Sequence, residues 1–391
     1  MAPDDGAAGA GKLKLLLISD NPATPASYGN AVRHFADAVS SLGVEVAFGA
    51  LQVAGLPLRY EHDGRSYPLY GCAPPYRIAA AIEDHDPDVV MHVRDPVAMV
   101  PRLFPGSYSV KAPARGKPVL QWCPVQHEFL PWDYVEVLLR ESDLVLPFTK
   151  AGADRLGDAG LVRDRMEPLP LGVSPAYSDP GGPAAVGYGR EGLPLVMTVG
   201  LGGQDRKAFP LLMRAFREAR STDPTLDYDF YLHTTAAGAF DLVEHARMLG
   251  VDGRWIFPKG YDPGIGYPEE DLASRYRRAV AYVSTGTGEG WDMPLSEAAA
   301  LGRVLVYPDE PNRNEVVSDY GGPKLPVRTF PFPRTTNWER MMDVSDLAEQ
   351  LLKLRDLRPD PAAGRAYYAA HTWAKTAERF VEIVKERGWW K

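Results

Sequence analysis

Cysteine is scarce in this chain. Cys72 and Cys123 are the two thiols in 391 residues, too few for a disulfide framework or a cysteine-rich zinc site, and they suit a reducing compartment. Both are read as ordinary buried residues. Basic charge is short as well: 43 Lys and Arg stand against 51 Asp and Glu, for a net charge of -8. A nucleic-acid partner would ask for a clustered basic face, so that class is excluded, while an anionic small ligand remains compatible where local cations hold it. No apolar run is long enough to span a bilayer, and the opening MAPDDGAAGAGK is acidic and small where a secretory signal would carry basic and apolar residues. A cytoplasmic protein with a flexible start over 1–12 is therefore expected. Oligomeric state has no signature.

What is present is alternation. KLKLLLISD, VEVAFGA, DVVMHV, PVLQWCPV and DLVLPF read as apolar strands, separated by helical stretches such as GNAVRHFADAVSSLG and WDYVEVLLRES, the pattern of a parallel sheet covered on both faces. The segment 174–192 is dense in Gly and Pro and reads as a linker. Alternation then resumes with PLVMTVG, DFYLHTT, RWIFPKG, AVAYVST and RVLVYP. Two α/β domains of similar size, 13–173 and 193–371, with ligands in the cleft between them, follow from this pattern. The end, 372–391, reads as one amphipathic helix with Trp373, Ala377, Phe380, Val381 and Val384 on its apolar stripe.

Two glutamates eight positions apart stand in TGTGEGWDMPLSEAAALG. The glycines around Glu289 resist helix and Pro294 suits a first helical turn. Glu289 then sits in a loop and Glu297 inside the following helix, both able to face one ligand lying across the helix N-terminus. In VGLGGQDRKAFPLLMRAF a strand ends in a glycine-rich turn before Arg206 and Lys207. A planar fork beside a mobile point charge is a plausible diphosphate clamp; two solvated cations at a helix start are the plainer alternative, although they would oppose the dipole. Asp292 either caps the helix, which is preferred, or bonds a hydroxyl of the ligand. The strings DHDPD and DYD precede strands and read as loop ends, so no metal is expected.

These residues resemble the retaining glycosyltransferases of the large family four. EGWDMPLSE is similar to that family's E-x7-E signature, GGQDRKAFPLL to its Arg/Lys phosphate loop, PNRNEVV to the segment after the following strand, and ESDLVLPFTKAGADRLGDAG to the last part of its N-terminal domain. The resemblance covers nearly the whole chain and is strongest over 196–317. It implies an α/β architecture of two Rossmann-like domains facing a cleft, the glycosyltransferase B fold, with the terminal helix crossing back to the first domain. It implies a metal-independent enzyme with no cofactor, which moves a sugar from a nucleotide diphosphate sugar to a hydroxyl acceptor with retention of configuration. A catalytically silent homologue serving as a subunit is the alternative. Carried over by position, Arg206 and Lys207 hold the diphosphate, Glu289 contacts the donor sugar, Glu297 binds the ribose, and His127 lines the cleft near the reacting carbon. The donor set is completed by Gly29, Gly203, Gly290, Trp291, Asp292, Met293, Pro294 and Leu295. The acceptor candidates are Tyr28, Asn30, His92, Arg94 and Asp95, with a strand-end core residue as the other reading of His92 and an ion pair as the other reading of Arg94 and Asp95. The six other histidines, His233 among them, are read as structural.

Overall fold

The computed structural model describes residues 12–55, 57–202, 204–331 and 338–390. The expected flexible start, apart from Lys12, and the donor candidate Gly203 lie outside the described residues. The apolar runs form two sheets. The first contains β1 (Lys14–Ser19), β2 (Glu45–Ala50), β3 (Leu58–His62), β4 (Arg65–Gly71), β5 (Val89–Val93), β6 (Val119–Cys123) and β7 (Leu144–Pro147), in the order β3-β4-β2-β1-β5-β6-β7. It is parallel except at one edge, where β3 runs antiparallel to β4. That hairpin corrects the expectation of a wholly parallel sheet. Its turn is HDGR, with Asp63 at φ 46° and Gly64 at φ 72°, the pair of left-handed residues that a tight two-residue hairpin turn requires.

The second sheet contains β8 (Leu195–Val199), β9 (Asp229–His233), β10 (Trp255–Ile256), β11 (Ala281–Val283), β12 (Val304–Pro308) and β13 (Lys324–Leu325), ordered β10-β9-β8-β11-β12-β13 with every pairing parallel. Helices cover both sheets. In the first domain these are α1 (Ser27–Ser41), α2 (Ile78–His85), α3 (Lys111–Ala114), α4 (Trp132–Glu141) and α5 (Lys150–Asp158). In the second they are α6 (Phe209–Thr222), α7 (Leu242–Met248), α8 (Glu269–Arg278), α9 (Met293–Ala300), α10 (Pro311–Val316), α11 (Val344–Lys353) and α12 (Pro361–Ala370). An antiparallel hairpin, β14 (Val327–Pro331) with β15 (Trp338–Met342), lies against the loop before α9 through Arg340 N donating to Thr287 O at 2.9 Å. Strand order reverses between β1 and β5 and between β8 and β11, the places where loops diverge from the carboxyl ends of parallel strands and leave a crevice. Among the described residues no helix is long and apolar enough to cross a membrane.

The chain crosses between domains twice. The backbones at Val173 and Thr372 meet there as a β-bridge. After the second crossing α13 (Trp373–Glu386) returns to pack on α1, with Phe380 5.2 Å from Phe35 and Trp373 6.3 Å from Trp122, ring centre to ring centre. Its buried face is Trp373, Thr376, Ala377, Phe380, Ile383 and Val384. Ile383 takes the place expected for Val381, which is half-buried. Trp389 and Trp390 pack partly buried against the same core, and Lys385 Nζ lies 5.0 Å from the Trp390 ring.

The Gly/Pro-dense linker is pinned to the second domain. Arg277 donates to the carbonyls of Ala176 at 2.9 Å and Asp179 at 2.8 Å, and Arg275 donates to the Tyr188 hydroxyl at 2.7 Å. In DHDPD, Asp86 pairs with Lys117 at 2.7 Å, Asp84 accepts from the Tyr70 hydroxyl at 2.7 Å and Asp88 from the Lys14 amide at 2.8 Å; in DYD, Asp229 pairs with Arg190 at 2.6 Å. Among the described residues no group of three or more His, Cys, Asp or Glu is placed to share a metal ion.

Candidate active site

The loops at the carboxyl ends of both sheets enclose a cavity of about 360 Å³ between the domains. Arg206 and Lys207 reach it from a 3₁₀ turn, Asp205–Lys207, that precedes α6 rather than from the helix itself. Ala208, left-handed at φ 48°, separates turn from helix, so the cations are aimed across the cleft and do not sit in the first turn. Both converge on one carboxylate. Arg206 Nη1 donates to Glu289 Oε1 at 3.0 Å and to the Gly288 carbonyl at 2.9 Å, and the Lys207 ammonium donates to the same Glu289 oxygen. Solvated cations at a helix start are thereby replaced by a buried three-charge cluster.

The cluster sets its own ionisation. Burial pushes the Glu289 carboxyl up, but Arg206, Lys207 and Arg313 overcome that and hold it at about 2, so Glu289 is a carboxylate throughout the physiological range. Burial pulls the Lys207 ammonium down against the opposing effect of Glu289, and Arg206 beside it adds to the fall.

Asp292 is left-handed at φ 69° and caps α9: its side chain accepts from Leu295 N at 3.3 Å. The same carboxylate accepts from Ser284 Oγ at 2.6 Å and Arg313 Nε at 2.7 Å. The Leu295 amide serves this cap and the side chain is wholly buried, which corrects its placement among the donor contacts. Gly290, Trp291, Met293 and Pro294 do line the cavity. A Cβ on Gly290 would stand 2.2 Å from Pro124 Cβ of the other domain, so the missing side chain is what lets the two domains meet.

Glu297 lines the opposite wall and is buried. Its Oε2 accepts from the Tyr276 hydroxyl at 3.1 Å. Burial and then the nearby Glu269 carboxylate raise its pKa to about 8. Glu269 bridges to the first domain, with His34 Nε2 2.8 Å from its Oε2 and Ser174 Oγ donating to the same oxygen at 3.1 Å. Above its ordinary value near 4.5 the unfolded Glu297 is ionised, whereas the folded one keeps its proton to about pH 8. The folded state therefore binds the extra proton in that window, and stability falls as pH rises through it. The neutral isostere Glu297→Gln is expected to melt several degrees above the parent at pH 8 and level with it near pH 4.5. Melting curves offset equally at both pH values would rule out this ionisation.

In the first domain, Tyr28 and Asn30 line the cavity as expected. Gly29 does not, which corrects its place in the donor set: a Cβ there would stand 2.2 Å from the Thr24 carbonyl, so the close approach it permits is to its own loop. His92 is also corrected. It is a core residue of β5, wholly buried, with Nδ1 2.7 Å from Gln121 Oε1 and Nε2 2.9 Å from the Tyr108 hydroxyl. Arg94 forms its ion pair with Asp20 at 2.8 Å, and it is Asp20 that lines the cavity. Asp95 accepts from Val97 N at 3.0 Å, capping a short 3₁₀ turn. At the turn after β6, Gln126 lines the cavity, whereas His127, expected to line it, stands beside it and is not among its lining residues; its Nε2 lies 3.3 Å from Gln126 Nε2. Burial, then Arg206 and Arg155, lower the His127 imidazole to about 4, leaving it neutral at physiological pH.

Several cavity residues have no counterpart in the sequence reading. Tyr177, from the linker, is 1 % exposed and stands 5.9 Å from Tyr276, ring centre to ring centre. His233, read as structural, lines the cavity with Tyr261 and Tyr267, whose rings lie 4.9 and 5.5 Å from its own. Arg313 and Asn312 stand directly behind the acid-bearing loop. Arg313 is wholly buried and donates to Asp292, to Glu310 Oε2 at 3.3 Å and to the Gly286 carbonyl at 2.9 Å. Asn312 Nδ2 donates to the Glu289 carbonyl of its own domain at 2.7 Å and across the domains to the Val125 carbonyl at 2.8 Å, while its Oδ1 accepts from Thr149 Oγ1 of the first domain at 2.8 Å. Two further pairs cross beside it. Glu315 accepts from the Lys150 and Ala151 amides that open α5, and Arg155 pairs with Glu310 at 3.1 Å.

Two Rossmann-like domains, a cavity at their facing strand ends and a returning terminal helix define the glycosyltransferase B fold. Solved structures with that arrangement align over almost the full chain. A sucrose-phosphate synthase from Thermosynechococcus elongatus superposes with a TM-score of 0.68 at 15% identity, covering 96% of this chain and 99% of its own. An alpha,alpha-trehalose 6-phosphate synthase from Burkholderia multivorans gives 0.64 at 13% identity, over 96% and 99%. The E. coli trehalose-6-phosphate structure bound with UDP-2-fluoro glucose gives 0.68 at 11% identity, over 95% and 99%. No family model and no curated protein sequence matches the chain.

Proposed function

We propose that the chain is a glycosyltransferase that moves a sugar from a nucleoside diphosphate sugar to a hydroxyl acceptor, with retention of anomeric configuration and without a metal ion. The observation that carries this reading is the convergence of Arg206, Lys207, Glu289 and Glu297 on one cavity between two domains. The resemblance to family four supports the roles given to each residue, and a neighbour of the same fold bound with UDP-2-fluoro glucose supports a nucleotide sugar as donor.

Glu289 holds the two cations in place until the diphosphate takes them, and then contacts the donor sugar. Glu297, protonated near neutral pH, both donates to and accepts from the ribose diol. The rings of His233, Tyr261 and Tyr267 offer the base an aromatic surface. As the bond between the anomeric carbon and the diphosphate breaks, its electron pair passes to the phosphate oxygen, where Arg206, Lys207 and the N-terminus of α9 stabilise it. The acceptor hydroxyl forms the new bond on the same face and its proton goes to the departing diphosphate. Gln126 faces the reacting carbon from the first domain, with the neutral His127 beside it.

A panel of nucleotide sugars, with and without acceptors, tests this. The true donor is expected to stabilise the protein by roughly 2.7 kcal/mol at a hundred times its dissociation constant and to yield free nucleoside diphosphate when an acceptor is added. A donor that stabilises but never turns over would point to a catalytically silent subunit. Release of a sugar phosphate or an isomerised donor would mark a different enzyme on this fold.

A further inference from the structure

With the donor diphosphate on Arg206 and Lys207, what remains of the cavity is the wall supplied by the first domain. Its polar side chains are Asp20, Ser27, Tyr28, Asn30 and Gln126. Asp20 is the one charged residue among them, and it is buried at the end of β1. The neighbouring cations are committed elsewhere: Arg94 to Asp20 itself at 2.8 Å, Arg33 to Glu269 at 3.6 Å and to the Pro22 carbonyl at 3.0 Å, and Arg155 to Glu310 at 3.1 Å and the Val125 carbonyl at 3.2 Å. None of these three lines the cavity.

Across the whole cavity the described lining residues include five acidic side chains and two cations, and those two stand side by side at the second domain. One diphosphate occupies them. A second phosphoryl group, carried by an acceptor, would find no free cation on its own wall, because the one carboxylate there, Asp20, is already matched by Arg94 at 2.8 Å and leaves no positive charge to pair with an added anion. Carboxylate, amide and phenol groups instead suit hydroxyls, which both donate and accept.

We infer that the acceptor is an uncharged, hydroxyl-rich compound, a sugar or glycoside without a phosphate, held through Asp20, and that the first-domain wall of the cleft rejects phosphorylated acceptors. The inference rests on the reading that Arg206 and Lys207 hold the donor diphosphate.

The test uses the full chain saturated with whichever nucleoside diphosphate it binds. Glucose, galactose and mannose are titrated calorimetrically against their phosphate monoesters, with inorganic phosphate as an ion control. At least one neutral sugar is expected to bind about tenfold more tightly than its monoester. Asp20→Lys, which makes the wall cationic, is expected to tighten monoester binding by about tenfold relative to the parent. Monoesters that bind the parent as tightly as the neutral sugars, or a lysine variant that gains nothing for them, would overturn the inference. Failure to take up any nucleoside diphosphate is a separate result and would overturn the proposed donor site itself.

Discussion

Turnover falls by about 10²- to 10³-fold when Arg206 and Lys207 are both replaced by alanine, while donor affinity falls less. On the proposed reading, negative charge grows on the diphosphate as the glycosidic bond breaks, so preorganised cations would stabilise the transition state more than the bound donor. The two single variants are expected to be non-additive, because both side chains act on one phosphate group and share one carboxylate, Glu289. That shared carboxylate adds a stability effect: the double variant leaves Glu289 buried without its two partners, so the melting temperature also drops. Adding Glu289→Gln to the double variant is expected to recover the melting temperature and no activity. Turnover, donor dissociation constant and melting temperature across the four proteins separate leaving-group stabilisation from a purely structural cluster. Full activity in the double variant would refute the diphosphate clamp.

Arg313→Met is expected to cost about 3–5 kcal/mol of stability, the usual loss when one partner of a buried ion pair is removed. The guanidinium is wholly buried and holds Asp292, Glu310 and the Gly286 carbonyl. A methionine fills most of the space but leaves Asp292 without its cation, while Glu310 keeps Arg155. Neutralising Asp292 as well, in Arg313→Met with Asp292→Asn, is expected to restore much of the loss, since the buried carboxylate left unpaired is then removed. Denaturant midpoints for the parent, single and double variants provide the check. A single-variant loss below about 1 kcal/mol, the range of exposed pairs, would show that the network contributes little.

How much of this was legible depended on the kind of signal. Parallel strands covered on both faces must be apolar throughout, so KLLLIS, VVMHV, VLQWC and LVMTV announced themselves. The edge strand LRYEH is mostly exposed and polar, and its hairpin was marked only by the Asp-Gly turn. The cations and the two glutamates were legible as candidates from residue type and spacing, and the structure brings all four to one cavity. Arg313 and Asn312 stood inside the quoted segment PNRNEVV, yet a single sequence does not tell a surface arginine from one sealed between domains. Tyr177 was hidden by its neighbours, since a stretch dense in Gly and Pro reads as solvent-facing whatever aromatic it carries. His92 took its core reading, while His233, read as structural, lines the cavity. Both end buried strands, and only the packing of whole sheets decides which strand end opens on the cleft.

The contacts beside Asn312 also bear on how the molecule moves. Apart from the two chain crossings at Val173 and Thr372, this edge of the cleft is closed by an amide, a carboxylate on a helix N-terminus and an ion pair. Each of these groups can exchange its partner for water at a net cost of about 0.5–1.5 kcal/mol, or 1.5–3 kcal/mol where a charge is involved. An apolar seal would instead lose stabilisation in proportion to its area. The seam is therefore polar: each of these hydrogen bonds can exchange for water separately, and each has its own partner across the gap to return to.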